Sequence, residues 1–196
     1  MKILTALQDP KTNEILKETP PKPNLEQQNA ILTISNCHGF NTFLLNGITG
    51  SGKTEVYLRV IENVLKEGKA VLILVPEIAL TQQTFDRFYR RFNVPVSSMH
   101  SALSDRERLD AYIDMATSKS GILIGTRTAL FTPIPNLGLI VIDEEHDSSF
   151  KQNDSFRYHA RNLAIMRAKL NNCPIVLGSA TPSLETIYNV KKGVYQ

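Results

Sequence analysis

The strongest structural signal in the sequence is the segment Gly47-Ile48-Thr49-Gly50-Ser51-Gly52-Lys53-Thr54. It fits the pattern G-x-x-x-x-G-K-[ST] at every fixed position. Apolar residues 43–45 precede it, and residues 54–67 follow it with apolar side chains at helical spacing. A strand, a glycine-rich loop and a helix in this order predict a loop that binds the phosphates of a nucleotide such as ATP.

Each fixed residue of this loop has a physical role in that prediction. The glycines let backbone N–H groups approach a β-phosphate closely, because no Cβ intervenes. The helix that follows adds its positive N-terminal end. We expect Lys53 to lie against the β- and γ-phosphates and the Thr54 hydroxyl to take one Mg²⁺ position. The alternative interpretation is a Gly/Ser turn that precedes a helix by chance.

Short apolar runs alternate with segments of helical spacing along the rest of the chain. The runs cover residues 43–45, 70–75, 122–124, 137–142 and 175–177, and the helical segments cover residues 54–67, 79–92, 104–117 and 158–170. Almost wholly apolar runs are typical of strands that are covered on both faces. The alternation therefore predicts an α/β fold, with a mostly parallel doubly wound sheet and helices on both faces.

Composition is that of an ordinary globular protein. The chain has 196 residues, of which 42% are hydrophobic and 21% charged, and this excludes a disordered tail, a collagen-like fibre and a coiled coil. The net charge of +3 is too small to indicate nucleic acid binding by itself. The apolar runs are too short for a membrane span, and two isolated cysteines suit a reducing compartment. We predict a cytoplasmic protein with no membrane partner.

Residues 1–23 differ from the rest of the chain. Pro10 and a group of prolines at positions 20, 21 and 23 lie among charged residues. Such a stretch cannot hold a long helix or a central strand. We interpret it as a linker or as the tail of a preceding domain. The regular pattern begins at Asn24, where Gln27 three positions later predicts a capped helix start.

An acidic box follows the apolar run that ends at Ile142. Its residues are Asp143, Glu144, Glu145 and His146. Carboxylates at the end of a strand suit the Mg²⁺ and the attacking water of a nucleotide site. We expect Asp143 to hold magnesium together with Thr54, and Glu144 to activate the water. Without the phosphate loop, the same acidic cluster would be interpreted as a solvated turn. His146 is interpreted either as a spacer or as a relay between the nucleotide and neighbouring loops.

Several segments of the chain together resemble one known family. They are GITGSGKTEVY (47–57), VPEIALT (75–81), GTR (125–127) followed by LF (130–131), DEEHDSSFKQ (143–152), RYHAR (157–161) and GSATPS (178–183). This combination resembles the primosomal protein N′ family, the PriA-type replication-restart DNA helicases of superfamily 2. The resemblance covers residues 24–196 and implies a RecA-like P-loop NTPase lobe.

The resemblance also implies roles for residues outside the phosphate loop and the acidic box. Gln27 is similar to the glutamine that reads adenine through its amide. Residues similar to those that contact the backbone of single-stranded DNA are Pro76, Thr81, Gly125, Thr126 and Arg127. Ser179 and Thr181 are similar to the residues that couple hydrolysis to the movement of DNA.

The stretch from Phe150 to Tyr158 resembles an aromatic-rich loop that senses single-stranded DNA. Its rings and cations interleave as Phe150, Lys151, Phe156, Arg157 and Tyr158. Bases stack on aromatic faces for about 1–3 kcal/mol each, and cations attract phosphates. The alternative is that Phe156 and Tyr158 anchor the next helix to the core.

A second basic cluster comprises Arg87, Arg90 and Arg91, with Tyr89 among them. Charged residues at this density on a predicted helix are typical of a solvated face. We favour that interpretation over a contact with DNA.

The resemblance implies the ATP-binding lobe of a DNA-dependent ATPase and helicase. Such a protein moves along single-stranded DNA and unwinds duplex at stalled replication forks, for primosome assembly and replication restart. ATP and Mg²⁺ are the implied cofactors. Single-stranded and forked DNA, primosome proteins and single-strand-binding proteins are the implied partners, and the implied location is the cytoplasm, in association with the nucleoid.

Family members carry parts that we do not find in this sequence. These are a second RecA-like lobe with an arginine finger, a cysteine-rich zinc site and a separate DNA-binding region, so zinc is expected only in a full-length member. An arginine finger contributes about 10³–10⁵ to turnover. We therefore expect residues 1–196 alone to bind ATP·Mg²⁺ weakly and to be nearly inactive.

Two alternatives from other classes stay open at this point. One is an RNA-acting or restriction-type superfamily 2 translocase with the same ATP-binding lobe. The other is a nucleotide-binding interaction module that does not hydrolyse its nucleotide.

Overall fold

A parallel sheet forms the centre of the molecule. The computed structural model describes residues 15–154 and 156–196. The strands are β1 (Thr42–Asn46), β2 (Ala70–Leu74), β3 (Val96–Met99), β4 (Ile122–Gly125), β5 (Leu137–Ile142), β6 (Lys151–Gln152), β7 (Tyr158–His159) and β8 (Ile175–Ser179). Six of them form one sheet in the order β1-β8-β5-β2-β4-β3, and every neighbouring pair in it is parallel. β6 and β7 form a separate antiparallel pair.

Helices cover both faces of this sheet. They are α1 (Leu25–Ser35), α2 (Lys53–Lys66), α3 (Gln82–Arg91), α4 (Asp105–Ala116), α5 (Ala160–Leu170) and α6 (Leu184–Lys191). In β2, Val71 and Ile73 belong to a core that also contains buried residues of α1, α2 and α3. Leu72 and Leu74 alternate with them and belong to a second core, with buried residues of α4 and α5. The predicted doubly wound α/β fold is therefore confirmed.

Local signals in the sequence define several helix ends. Asn24 and Gln27 form a capping box at the start of α1, and Ser104 and Glu107 form another at the start of α4. Gly68 follows α2 with φ +71°, a left-handed conformation that glycine adopts without strain. The two capping boxes satisfy backbone groups that a helix end would otherwise leave unpaired.

The structure differs from the predicted elements in four places. The edge strand β3 was not predicted, because its sequence VSSM contains two serines and lacks the apolar character of the other strands. Helix α6 was also missed. Helix α3 begins at Gln82 rather than at residue 79, because the Thr81 hydroxyl accepts a hydrogen bond from the Thr84 N–H and caps the helix there. Tyr158 pairs with Gln152 in the β6–β7 hairpin, so α5 begins only at Ala160.

Part of the predicted N-terminal linker packs on the lobe. Ile15 is buried, and Leu16 forms an antiparallel bridge with Phe92 at the end of α3. The Arg59 guanidinium donates a hydrogen bond of 2.9 Å to the Pro21 carbonyl. Residues 15–21 therefore lie against α2 and α3. The first fourteen residues of the predicted linker lie outside the described part of the chain.

In the part of the chain that the structure describes, none of the helices combines the length and apolar character needed to cross a membrane.

Candidate nucleotide-binding site

The predicted site residues gather at one edge of the sheet. The phosphate loop follows β1, residues 76–81 follow β2, residues 125–127 adjoin the end of β4, the acidic box follows β5, and residues 179–181 adjoin the end of β8. Because all six strands are parallel, these positions share the carboxyl edge. This is where open α/β sheets bind ligands.

The phosphate loop has the backbone geometry that the sequence predicts. Gly50 and Gly52 have φ of +82° and +85°, values that favour glycine. A Cβ on Gly47 would lie 2.6 Å from the Ser51 Oγ. The Lys53 Nζ donates a hydrogen bond of 2.6 Å to the Gly47 carbonyl, so its ammonium group lies over the loop. Positive φ at Gly50 and Gly52 and the close approach at Gly47 therefore account for the glycines of the predicted phosphate loop.

Two cavities flank the loop, and Lys53 lines both. One, of about 440 Å³, is also lined by Thr54 and by the carboxylates of Asp143 and Glu144. The other, of about 330 Å³, is lined on its far side by Asn24 and Gln27. The acidic side suits the reacting phosphate, and the side near α1 suits the rest of the nucleotide.

Gln27 lies against the phosphate loop. Its side-chain amide donates a hydrogen bond of 3.1 Å to the Ser51 carbonyl, and its Oε1 accepts one of 3.0 Å from the Asn24 N–H. A Cβ on Gly52 would overlap the Gln27 amide. The predicted adenine-reading residue is thus held beside the loop, and its adenine-reading role stays a prediction.

Asp143 is joined to the phosphate-loop helix by Tyr57, which sequence reasoning missed. The Tyr57 hydroxyl donates a hydrogen bond of 3.1 Å to the Asp143 Oδ1. Gly178 leaves room for this ring, because a Cβ there would overlap the Tyr57 hydroxyl. Burial raises the pKa of Asp143 above its usual range, although the Tyr57 hydrogen bond opposes that rise. Tyr57 lies four residues after Lys53, on the same helix face, which is the one sequence signal that could have revealed it.

Glu144 has an unusual backbone conformation. Its φ is +49°, which is uncommon for a residue with a side chain. Its side chain lines the same cavity as Lys53 and Thr54. Strained backbone positions concentrate at functional sites, so this geometry fits the water-activating role that stays predicted for Glu144.

Glu145 points the other way and is completely buried, with an exposed fraction of 0%. Its Oε2 accepts a hydrogen bond of 2.7 Å from Arg161, and its Oε1 accepts one of 2.7 Å from the Ser183 N–H. Thr186 donates a further bond. Burial alone would raise the pKa of Glu145, but the hydrogen bonds and the Arg161 charge outweigh it and hold that pKa below its usual range. Arg161, Ser183 and Thr186 were not predicted as functional residues.

His146 links the acidic box to the end of β8. Its Nδ1 lies 2.7 Å from the Ser179 Oγ, and the Ser179 Oγ accepts a hydrogen bond of 3.1 Å from the Thr181 N–H. Of the two interpretations of His146, the relay is therefore supported by a chain of contacts from His146 through Ser179 to Thr181. The coupling roles of Ser179 and Thr181 stay predictions.

The aromatic loop contains one ring that cannot stack on DNA in this conformation. Phe150 is only 1% exposed and belongs to the second core, because the 3₁₀ helix Ser148–Phe150 turns it inward. Its predicted DNA contact is therefore wrong for this conformation. Phe156 is 72% exposed and lies 5.8 Å from the Tyr158 ring, which also meets Phe131 edge-on at 5.5 Å. Lys151 and Arg157 are exposed beside these rings.

The other predicted DNA contacts differ in exposure. Pro76 and Thr126 are buried and Thr81 is exposed. Gly125 packs so closely that a Cβ there would overlap the Met99 carbonyl. Arg127 donates hydrogen bonds of 3.1 and 3.4 Å to the Ser149 and Lys151 carbonyls, so it holds the aromatic loop.

A further cavity, of about 310 Å³, opens at the opposite edge of the sheet. It is lined by Cys37 and Cys173, and none of the predicted site residues borders it. Among the described residues, no group of three or more His, Cys, Asp or Glu side chains is arranged to hold a metal ion. Thr54 and Asp143 therefore remain predicted ligands of Mg²⁺.

The loop, the acidic box and the parallel sheet together define a RecA-like P-loop nucleotide-binding lobe. Residues 24–190 match the DEAD/DEAH box helicase family, and the chain belongs to that family. Membership implies that the chain uses ATP, together with Mg²⁺.

Individual curated proteins show which kind of helicase the chain resembles. The chain is 59% identical over 158 residues to replication restart protein PriA of Haemophilus influenzae, covering 81% of the chain and 22% of that protein. It is 46% identical over 192 residues to PriA of Bacillus subtilis, covering 96% of the chain and 24% of that protein. The resemblance to PriA-type proteins is thus confirmed, and the chain spans about a quarter of the length of these relatives.

Solved structures of helicases share the fold. The Hef helicase domain of Pyrococcus furiosus has a TM-score of 0.61 at 24% identity, covering 88% of this chain and 36% of that one. RecG bound to a three-way DNA junction has a TM-score of 0.65 at 23% identity, covering 89% of this chain and 23% of that one. These neighbours confirm the RecA-like architecture.

Proposed function

We propose that the chain is the first ATP-binding lobe of a DNA-dependent ATPase and helicase that acts in replication restart. The observation that carries the proposal is one cavity lined by the phosphate loop and by the carboxylates of Asp143 and Glu144. Similarity to PriA proteins supports single-stranded and forked DNA as the substrates of the full-length protein. Primosome and single-strand-binding proteins are its proposed partners, in the cytoplasm close to the nucleoid.

The phosphate loop binds the triphosphate. Its backbone N–H groups and the start of α2 attract the phosphate oxygens, and Lys53 offsets their charge from a position over the loop. Thr54 and Asp143 would hold Mg²⁺, which would neutralise phosphate charge. Gln27 lies beside the loop, where its amide reads adenine once it exchanges the Ser51 carbonyl for the base.

Glu144 acts on the attacking water. Its side chain lines the cavity that receives the γ-phosphate, so it orients a water molecule and accepts its proton as the water oxygen attacks the γ-phosphorus. The bond between that phosphorus and the β,γ-bridging oxygen breaks, and ADP leaves. Lys53 and the loop amides stabilise the charge that develops on the phosphate oxygens.

His146 and Ser179 couple hydrolysis of the nucleotide to the surface of the lobe that contacts DNA, called the DNA side below. Their contact joins the acidic box to the loop after β8. The loops at 76–81 and 125–127 and the rings of Phe156 and Tyr158 form the DNA side, with Lys151 and Arg157 attracting phosphates. A second lobe with an arginine finger, a zinc site and a separate DNA-binding region belong to the full-length protein in this proposal, and the isolated lobe hydrolyses ATP barely.

Nucleotide binding by this chain tests the first part. We expect Lys53→Ala to weaken the binding of Mg²⁺ with a non-hydrolysable ATP analogue by at least about tenfold, because it removes a charged hydrogen-bond donor. Isothermal titration calorimetry measures the change. Lys69→Ala is the matched control, since Lys69 pairs with Glu67 on the surface and lines the cavity at the opposite edge. Equal affinities for wild type and Lys53→Ala would contradict the assignment of the loop.

Stimulation of ATP hydrolysis tests the second part. The full-length protein is expected to hydrolyse ATP faster with forked DNA than with RNA of the same design. Stronger stimulation by RNA would favour the RNA-acting translocase. Stimulation by plain duplex DNA alone would favour the restriction-type translocase.

A further inference from the structure

The basic residues of α3 have three different environments. Arg91 is buried, with an exposed fraction of 3%, whereas Arg87 and Arg90 are both exposed. Arg87 borders the cavity that also contains Lys53, Thr54 and the carboxylates of the acidic box. The predicted solvated face is therefore wrong for Arg91 and holds only in part for the cluster.

Arg91 fixes α3 to the start of α2. Its two terminal nitrogens donate hydrogen bonds of 3.1 and 2.5 Å to the carboxylate of Glu55, a bidentate arrangement. Glu55 lies two residues after Lys53, in the first turn of the phosphate-loop helix. It also accepts a hydrogen bond of 3.1 Å from Arg59. The pair therefore joins α3 to the first turn of the helix that follows the phosphate loop.

Arg87 lies one turn before Arg91 on the same side of the helix. Residues four positions apart are neighbours on a helix surface, and side chains lean toward the N-terminus of their helix. Because Arg91 contacts the start of α2, the preceding turn directs Arg87 toward the phosphate loop. Within the described residues, Arg87 has no ion pair or side-chain hydrogen bond.

We propose that Arg87 binds the terminal phosphate of the nucleotide from within the same lobe. The proposal rests on the proposed function, since it needs ATP in this cavity. Arg87 borders the cavity on the acidic side and not the one near Gln27, so its contact is with the γ-phosphate and not with the base. Guanidinium groups bind phosphate oxygens with two parallel hydrogen bonds. Arg87 thus acts as a second cation beside Lys53, specific for the triphosphate.

Discrimination between triphosphate and diphosphate tests this assignment. We expect Arg87→Ala to weaken binding of a non-hydrolysable ATP analogue with Mg²⁺ by about tenfold to a hundredfold, the range of a charge-assisted hydrogen bond. ADP affinity is expected to stay within about twofold, because ADP lacks the group that Arg87 contacts. Arg87→Lys keeps the charge without the fork and is expected to lie between wild type and Arg87→Ala.

Arg90→Ala is the matched control, because it removes the same charge from an equally exposed residue of the same helix that does not border the cavity. Calorimetry on all variants, with melting temperatures to verify folding, gives the comparison. An unchanged analogue affinity in Arg87→Ala, or an equal loss for analogue and ADP, would overturn the proposal. The same applies if Arg87→Ala loses only affinity for single-stranded DNA. Lys53→Ala distinguishes failure of the Arg87 proposal from failure of the proposed function. If the phosphate loop binds nucleotide, this variant should weaken the binding of both the ATP analogue and ADP.

Discussion

Two halves of the acidic box, adjacent in the chain, lie in opposite environments. Asp143 and Glu144 line the cavity beside the phosphate loop. The inward half consists of Glu145, which is fully buried and pairs with Arg161. His146 is exposed and contacts Ser179. One strand end therefore presents two carboxylates to the ligand and a third to the protein interior.

Two side chains of identical chemistry therefore have different roles in the acidic box. Glu144 and Glu145 have the same side chain, but the φ of +49° at Glu144 turns the backbone between them. The outward carboxylate is available to a substrate. The inward one joins the acidic box to α5 and to the start of α6 through Arg161, Ser183 and Thr186. Substitutions in the two halves should therefore change different quantities.

The largest expected effect is on catalysis by the outward half. Glu144→Gln should lower the DNA-stimulated turnover of the full-length protein by about 10²–10⁴-fold, the usual contribution of a general base. Nucleotide affinity and melting temperature should change little, because the ion-pair contact of Glu144 within the described residues, with His146 at 3.6 Å, lies between two partly exposed side chains. Steady-state kinetics and calorimetry check both statements. Wild-type turnover in this variant would favour the interaction module that does not hydrolyse ATP.

The next effect is on folding and concerns the inward half. Arg161→Met leaves the Glu145 carboxylate buried without its cation, and we expect a loss of about 3–5 kcal/mol in the free energy of unfolding. Urea denaturation of this chain measures the loss. A double variant, Glu145→Leu with Arg161→Met, removes both charges and should recover most of the stability. If the single variant is as stable as wild type, the buried pair does not join these elements.

A smaller and pH-dependent effect is expected for Glu145→Gln. The folded pKa of Glu145 is below its unfolded value, so its carboxylate contributes stability that is present above the unfolded pKa and is lost as the pH falls through the folded pKa. The variant should be less stable than wild type by about 1–3 kcal/mol at neutral pH. The difference should shrink as the pH falls below about 4.3. Denaturation curves across this range check it, and a constant difference would contradict the ion pair.

Local signals predicted the sheet and the phosphate loop from the sequence. Glycines at positions 50 and 52 permit the positive φ values that the loop needs. Apolar runs such as residues 137–142 indicate buried strands without further information. The carboxyl-edge position of the motifs then follows from the parallel topology.

Long-range packing was beyond reach of the same reasoning. The sequence contains no sign that Phe150 turns into the core or that Arg91 meets Glu55, because both depend on how separate elements are oriented. The hydrogen bond between Tyr57 and Asp143 joins residues 86 positions apart. Strand β3 was missed because an edge strand is less buried than a central one and can contain polar residues. Its sequence VSSM therefore lacks the apolar run by which the other strands were predicted.

The space left by Gly178 has a consequence for protein engineering. The Tyr57 ring from the phosphate-loop helix occupies that space on its way to Asp143. If only one of these segments were replaced by that of another nucleotide-binding domain, a larger residue at position 178 would collide with the Tyr57 ring. A smaller residue at position 57 would leave a cavity beside Gly178. The helix, the acidic box and the strand would have to be transplanted as a matched set.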